Sequence, residues 1–176
     1  MTGPCFVDAN VFVYAGDRRV PSKQRRAIEW LDLLWREQSG RTSTQALNEA
    51  YVVLKRVSEA RACEQDAWAS VRKYFVWNPA SVDVGLMRLA REIEARHRIS
   101  WWDSLIVAAA QSQDCTLLLT EDLQDGGVYG PVTVRSPFTL EVREPAADYA
   151  LNTRIASPHR PRGRPRRTVR EAAAKA

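Results

Sequence analysis

The chain has 176 residues, a mass of 19.9 kDa and 45% apolar residues, which is the size and composition of one ordinary globular domain. These values exclude a collagen-like, a coiled-coil or a wholly disordered protein, and no apolar stretch approaches the roughly 18 residues of a membrane span. The net charge of +5 is uneven, because eight basic residues and one acid give the segment from Thr153 to Ala176 a charge of +7 and leave −2 for the rest.

The body of the chain alternates short apolar runs with longer stretches of helical period. The predicted strands are Cys5–Val7, Arg41–Thr44, Thr116–Leu119 and Val132–Val134. The predicted helices are Asn10–Ala15, Pro21–Trp35, Ala46–Ser58, Ala62–Trp77, Val84–His97 and Trp101–Gln113. Asn10 and Ser100 are the expected caps of the first and last of these helices. Short apolar strands separated by helices indicate an α/β fold with a parallel sheet covered on both faces.

The composition changes near Glu144. Beyond it lie four of the nine prolines, one aromatic residue and none of the six tryptophans. Such a segment buries too little apolar surface to offset its ordering entropy. We therefore predict a folded domain over residues 1–144 and a disordered basic tail over residues 145–176.

Cysteine usage bears on the compartment. Three cysteines, an odd number, stand in a chain without a visible signal peptide. Both features favour a reducing environment, so we expect a cytoplasmic protein without a membrane contact. The cysteines are also too few and too scattered for a zinc site.

Four acids stand where the predicted elements would bring them to one edge of the sheet. They are Asp8 after the first strand, Glu49 in the first turn of the third helix, Asp103 in the first turn of the last helix and Asp122 after the strand Thr116–Leu119. In parallel sheets, ligands bind beyond the carboxyl ends of the strands. Each acid also has a purely structural interpretation as a cap, a turn residue or a solvated helix acid, and Asp103 would complete a capping box with Ser100.

Acids gathered in this way require a cation. Carboxylates within about 4–6 Å of one another repel, and some of them acquire a raised pKa. Oxygen ligands without a His or Cys partner favour Mg2+ or Mn2+ over Zn2+. His97 ends a predicted helix and His159 lies in the tail, so we assign neither to the site.

Four segments, in chain order, resemble the motifs of the PIN-domain nucleases. They are Phe6–Val11, Ser43–Glu49, Ile99–Ala110 and Leu118–Gly126. The resemblance covers roughly Met1 to Pro137, and its last two motifs are the most specific. It implies a three-layer α/β/α fold with a central parallel sheet and a divalent-metal-dependent endoribonuclease.

The resemblance also implies roles for single residues and for partners. The catalytic metal ligands for Mg2+ or Mn2+ would be Asp8, Glu49, Asp103 and Asp122, with Asn10 and Thr120 in support by hydrogen bonding and Asp125 as a fifth acid. The substrate would be RNA. Because many small bacterial members are VapC-type toxins, an antitoxin protein is the expected partner. A homodimer is a further possibility.

Five basic residues follow the first motif and are candidates to steer RNA towards the acids. They are Arg18, Arg19, Lys23, Arg25 and Arg26. The alternative is that they form only the solvated face of a helix.

The tail carries a second resemblance, to an AT-hook, over residues 160–167. The residues that would contact nucleic acid are Arg160, Arg162, Gly163, Arg164, Arg166 and Arg167. Arginines on an extended backbone can enter a narrow A·T minor groove. A basic tail that binds any polyanion through counterion release explains the same residues equally well.

Three functions compete on this sequence. The first is a metal-dependent endoribonuclease that serves as the toxin of a toxin–antitoxin pair. The alternative is a non-enzymatic DNA-binding protein that acts through its AT-hook-like tail. A phosphatase of the haloacid-dehalogenase type ranks low, because that family requires Asp-x-Asp after its first strand and the second position here is Asn10.

Overall fold

The computed structural model describes residues 3–60 and 66–140 of the chain. The predicted tail, its AT-hook-like motif and the domain boundary at residue 144 lie outside these ranges and stay predictions. The first residues of the helix predicted over Ala62–Trp77 also lie outside them.

Helices and short strands alternate along the described ranges. The strands are β1 (Cys5–Val7), β2 (Gly40–Arg41), β3 (Leu117–Leu119), β4 (Val128–Tyr129) and β5 (Val132–Arg135). The α-helices are α1 (Ala9–Gly16), α2 (Pro21–Arg36), α3 (Thr44–Ala60), α4 (Ala67–Arg72), α5 (Val84–His97) and α6 (Trp101–Ser112). A 3-10 helix over Lys73–Trp77 continues α4. No helix in the described ranges is long and apolar enough to cross a membrane.

The strands form one sheet in the order β2-β1-β3-β5-β4. β1 pairs in parallel with β2 and β3, and β3 pairs in parallel with β5, whereas β4 runs antiparallel to β5. Phe6, Val7, Leu118 and Leu119 are 0% exposed. Because successive residues of a strand point to opposite faces, both faces of the sheet are covered. The predicted α/β fold with a central, mostly parallel sheet is confirmed.

Three predicted boundaries near the acids were wrong. Helix α1 begins at Ala9, and its N-cap is Asp8 rather than Asn10, because the Asp8 carboxylate accepts a hydrogen bond from the backbone N–H of Ala9. Strand β2 ends at Arg41, before the predicted Thr44. Helix α3 already begins at Thr44, so Glu49 lies in its second turn and not in its first.

The helix predicted to end at Trp77 is broken, and one strand was missed. Helix α4 starts after its N-cap Asp66 and passes into the 3-10 helix at Lys73. A 3-10 helix aligns residues three apart, and Tyr74 and Trp77 are accordingly both buried. Strand β4 has only two residues and no hydrophobic alternation to reveal it.

An aromatic cluster supports the edge of the sheet at β2. The ring centroids of Phe12 and Tyr74 lie 4.5 Å apart, and those of Tyr74 and Trp77 lie 4.9 Å apart. The Trp77 ring covers Gly40 so closely that a Cβ atom there would stand 2.6 Å from it. Strand β2 and the 3-10 helix can therefore approach this closely only because residue 40 is a glycine.

Candidate active site

The register of β1 and β3 brings Asp8 next to Thr120. Val7 is aligned with Leu119, so the residues that follow, Asp8 and Thr120, leave the sheet side by side. The backbone N–H of Asp8 donates to the carbonyl of Leu119 at 3.1 Å. The Thr120 hydroxyl donates to Asp8 Oδ2 at 2.7 Å. Parallel pairing alone thus joins two residues that are 112 positions apart.

Asn10 connects this pair to a second acid. Its Nδ2 donates to Thr120 Oγ1 at 2.9 Å and to Asp122 Oδ2 at 3.2 Å, and it lies 3.5 Å from Asp8 Oδ2. The backbone N–H of Asp122 also donates to Thr120 Oγ1, at 3.1 Å. The Thr120 hydroxyl thereby uses its one hydrogen and both lone pairs. Asp8 and Asp122 are therefore linked through the Asn10 amide and the Thr120 hydroxyl.

The electrostatics of Asp8 reflect this setting. Burial raises the pKa of Asp8 to about 7, and the negative charges of Asp122 and Glu49 add to the rise. The hydrogen bonds from Thr120 and from the backbone of Ala9 act in the opposite direction. A carboxyl that is disfavoured in its charged form by both burial and neighbouring acids stands in a site suited to a cation.

Glu49 reaches the site from the second turn of α3. Its side chain is exposed, and its Oε1 accepts a hydrogen bond from Gln45 Nε2 at 2.9 Å. Gln45 is one turn earlier on the same face, the spacing at which helical side chains meet. The same amide nitrogen lies 3.4 Å from the backbone carbonyl of Trp102. Gln45 therefore joins α3 to the first turn of α6, and only the i, i+4 spacing in the sequence could have indicated it.

Asp103 forms the predicted capping box with Ser100, and its pKa is also affected by the charge of another acid. Ser100 is the N-cap of α6, and its Oγ accepts from the backbone N–H of Asp103 at 3.1 Å. The Ser100 hydroxyl lies 2.7 Å from Asp103 Oδ2 and donates to it. Burial raises the pKa of the Asp103 carboxyl, and the charge of Asp122 raises it further against the hydrogen bonds from Ser100. The charge of Asp122 therefore raises the pKa of both Asp8 and Asp103.

Asp125 contacts the end of β5. Its Oδ1 accepts from Arg135 Nε at 3.1 Å and from the backbone N–H of Ser136 at 2.8 Å. These contacts tie the turn after β3 to the end of β5. The role of Asp125 as a fifth acid of the site stays a prediction.

The basic residues after the first motif are mostly paired. Arg19 forms two-point contacts with Asp17, and Arg26 Nη1 lies 3.2 Å from Glu29 Oε2. Lys23 forms a short ion pair with Glu121, which sequence reasoning had not singled out, and donates to the Tyr14 hydroxyl. Arg18 and Arg25 are exposed and form no ion pair with any residue that the structure describes.

The donor set fits a hard divalent cation by its chemistry. Among the described residues, no three His, Cys, Asp or Glu side chains converge closely enough to form a ready-made metal cage. The acids at the sheet edge nevertheless offer only oxygen donors, which Mg2+ and Mn2+ prefer. Asn10 Oδ1 is a further oxygen in their midst, and it is buried without a hydrogen-bond partner. A buried oxygen without a donor is rare in native proteins, and an ion or an ordered water can satisfy it.

The fold and the site together define a parallel α/β protein with an acidic centre at the carboxyl edge of its sheet. The family model described as PIN domain matches residues 5–124, and the chain belongs to this family. No curated protein matches the chain.

One solved structure similar to this chain is the Mycobacterium tuberculosis toxin VapC20, whose description reads sarcin-ricin loop cleaving toxin. The two chains are 22% identical, the match covers 65% of this chain and 86% of that chain, and the TM-score is 0.46.

Proposed function

We propose that this protein is a divalent-metal-dependent endoribonuclease that hydrolyses RNA phosphodiester bonds. The observation that carries the proposal is the environment of Asp8, a buried carboxyl whose pKa is raised to about 7 by burial and by the charges of Asp122 and Glu49. Perturbed carboxyls in such clusters mark functional sites. Membership of the PIN family supports a nuclease.

The metal ligands in this proposal are Asp8, Glu49, Asp103 and Asp122. A bound Mg2+ or Mn2+ would activate water and neutralise the negative charge that develops on the phosphate. The acids by themselves would repel RNA, so the cation also serves substrate binding.

The chain's own polar groups orient these ligands. Thr120 donates to Asp8 Oδ2, and Asn10 Nδ2 donates to Asp122 Oδ2, which directs one oxygen of each carboxylate. Gln45 Nε2 does the same for Glu49 Oε1. A carboxylate whose side chain is already held by a hydrogen bond loses less conformational entropy when it ligates a cation.

The test is cleavage of a mixed RNA sample with Mg2+, with Mn2+ and with excess chelator. Asp8→Asn and Asp103→Asn keep side-chain size but remove a ligand charge, and each should lose most of the activity. Asp114→Asn is the matched control. Asp114 follows α6 at the end opposite Asp103 and has a φ of 56°, a conformation that asparagine adopts readily.

Two results would contradict the nuclease proposal. One is full cleavage by both site variants, which would assign the carboxyls to caps alone. The other is cleavage by the wild type in excess chelator, which would exclude a divalent cation from the reaction.

We further propose that the enzyme is the toxin of a toxin–antitoxin pair. The support is the resemblance to VapC-type proteins at the four motifs. The expected result is that expression of the wild-type chain alone arrests bacterial growth and that Asp8→Asn does not. Equal growth with both chains would contradict a toxin, and sedimentation of the purified chain would decide whether a homodimer forms.

The competing proposal is a DNA-binding protein that acts through its tail. Its support is the +7 charge of the segment from Thr153 to Ala176. The tail deletion described in the Discussion separates this function from the nuclease.

A further inference from the structure

An open groove of about 870 Å³ lies directly beside Glu49. It is formed where the first two turns of α3 and of α6 face the chain after the 3-10 helix. The residues that matter for its chemistry are Gln45, Asn48, Glu49, Val82, Trp102 and Leu105. Backbone hydrogen bonds between Thr44 and Ala80 and between Ala80 and Thr42 fix its rim.

One wall of the groove carries an exposed indole ring. Trp102 is 64% exposed although it is one of the largest apolar side chains. Its neighbour in sequence, Asp103, is one of the acids at the sheet edge. An exposed tryptophan beside an acidic centre provides a flat apolar face for a planar group.

A polar group in the groove lacks a partner. Gln45 is 9% exposed, and its Nε2 already donates to Glu49. Its Oε1 is buried and accepts no hydrogen bond. Turning the amide over would direct an oxygen at the Glu49 carboxylate, so the unsatisfied atom is the acceptor, and an N–H or O–H group of a bound molecule can satisfy it.

The charge of the groove favours a base over a phosphate. All of its lining residues are described by the structure, and none of them is Lys or Arg. Glu49 adds a negative charge at its margin. A phosphate would be repelled there, whereas a neutral nucleobase has the flat face for Trp102 and the N–H edge for Gln45.

We propose that this groove binds an unpaired nucleobase of the RNA strand next to the scissile phosphate, stacked on Trp102. The inference rests on the proposed ribonuclease function and adds a subsite for single-stranded RNA. Aromatic side chains stack on any base, so we expect the groove to discriminate between unpaired and paired RNA more strongly than among the four bases.

The test measures the affinity of the full chain for a fluorescent RNA hexamer with Ca2+ in place of Mg2+ or Mn2+, so that the oxygen ligands hold a hard cation and the acids do not repel the RNA. A gel confirms that the hexamer stays intact during the measurement. Salt at about 0.3 M suppresses electrostatic binding by the tail. Trp102→Ala should weaken binding about tenfold, as expected for the loss of one stacked base, and Trp102→Phe should restore most of it. Trp68→Ala is the matched control, because Trp68 is 50% exposed and lies outside the groove.

A second measurement needs no mutation. The wild-type chain should bind a hexamer with one abasic position in its centre about tenfold more weakly than the intact hexamer. Equal affinity for the two hexamers, or for Trp102→Ala and wild type, would overturn the inference and leave the groove to another occupant, such as a protein segment.

The two proposals fail separately. If cleavage depends on metal but binding does not depend on Trp102, the base-binding groove is contradicted and the nuclease proposal stands. Binding that depends on Trp102, without cleavage in any metal, would contradict the nuclease and support the groove as a base-binding site.

Discussion

At the level of single residues, the titration of Asp8 makes the stability of the fold depend on pH. Its pKa rises from 3.8 to about 7, first through burial and then through Asp122 and Glu49. The folded state therefore holds this proton more tightly than the unfolded state does. The contribution of Asp8 to stability is greatest below about pH 4, falls as the pH rises and levels off above about pH 7.

We expect Asp8→Asn to remove this part of the pH dependence, because asparagine does not titrate. The measurement is urea unfolding of the metal-free wild type and variant at about pH 5, 6 and 7. Stability of the wild type should decline relative to the variant across this range, whereas the control Asp114→Asn should follow the wild type. Parallel profiles for wild type and Asp8→Asn would show that Asp8 titrates normally.

Thr120 is the second residue with a specific consequence. Its hydroxyl contacts Asp8, Asn10 and Asp122 at once. Thr120→Val keeps the shape but removes one hydrogen bond from each of these residues, at a cost of about 1–3 kcal/mol. It should also raise the pKa of Asp8 further, because the hydrogen bond from Thr120 lowers it.

Urea unfolding gives the stability of Thr120→Val, and the pH profile gives the shift of Asp8. Thr120→Ser retains the hydroxyl and is the control, so it should stay close to the wild type in both measurements. A Thr120→Val protein as stable as Thr120→Ser would mean that the network contributes nothing.

At the scale of elements, β2 and the 3-10 helix meet at Gly40. A Cβ atom there would lie 2.6 Å from the Trp77 ring, and this ring is buried in the aromatic cluster. Gly40→Ala should therefore overpack the contact and destabilise the fold by about 1–3 kcal/mol. The readout is the urea midpoint at unchanged slope.

Gly85→Ala provides the contrast on α5. Its Cβ would meet only Asp83 Oδ1, at 3.3 Å, and alanine is favoured over glycine in a helix. We expect its stability to stay within about 1 kcal/mol of the wild type. Equal effects of the two substitutions would show that the Gly40–Trp77 contact is not a structural constraint.

At the scale of the whole molecule, a divalent cation should stabilise the fold. A ligand that binds only the folded state adds RT ln(1 + [L]/Kd), or about 2.7 kcal/mol at a concentration of 100 Kd. The melting temperature of the wild type should rise with Mg2+ or Mn2+, and that of Asp8→Asn should rise less. No rise at millimolar metal, with Asp103→Ala merely less stable, would favour the capping role of Asp103 alone.

The tail should be separable from the chemistry. Deletion of residues 145–176 should leave metal-dependent cleavage of a short RNA largely intact, because the four motifs precede it. The same deletion should weaken binding to duplex DNA and flatten its salt dependence by about 0.9 in log–log slope per lost phosphate contact. Loss of folding on truncation would show that the domain boundary at residue 144 is wrong.

The AT-hook interpretation has its own outcome. Duplexes rich in A·T should bind the full chain more tightly than duplexes rich in G·C, and Arg162→Ala with Arg164→Ala should abolish the difference. Equal affinity for the two duplexes would reduce the tail to a general polyanion binder.

Much of the element pattern followed from local sequence. The apolar runs at Cys5–Val7 and Leu117–Leu119 and the cap at Ser100 are local signals, and the structure has strands and a helix start there. The segment predicted as one helix does end at Trp77, but its last five residues form a 3-10 helix, in which Tyr74 and Trp77 pack into the aromatic cluster. Local periodicity carries no information about a partner on another element.

The α/β class, the four acids and their order along the chain can be read from the residues alone, because they depend on residue type and on hydrophobic period. Which of these acids come into contact depends on how distant segments pair. The alignment of Val7 with Leu119 brings Asp8 to Thr120, and Asn10 then reaches Asp122, whereas Asp125 turns to Arg135. Strand order and register come from contacts between residues far apart in the chain, and so does the free energy that shifts the pKa of Asp8.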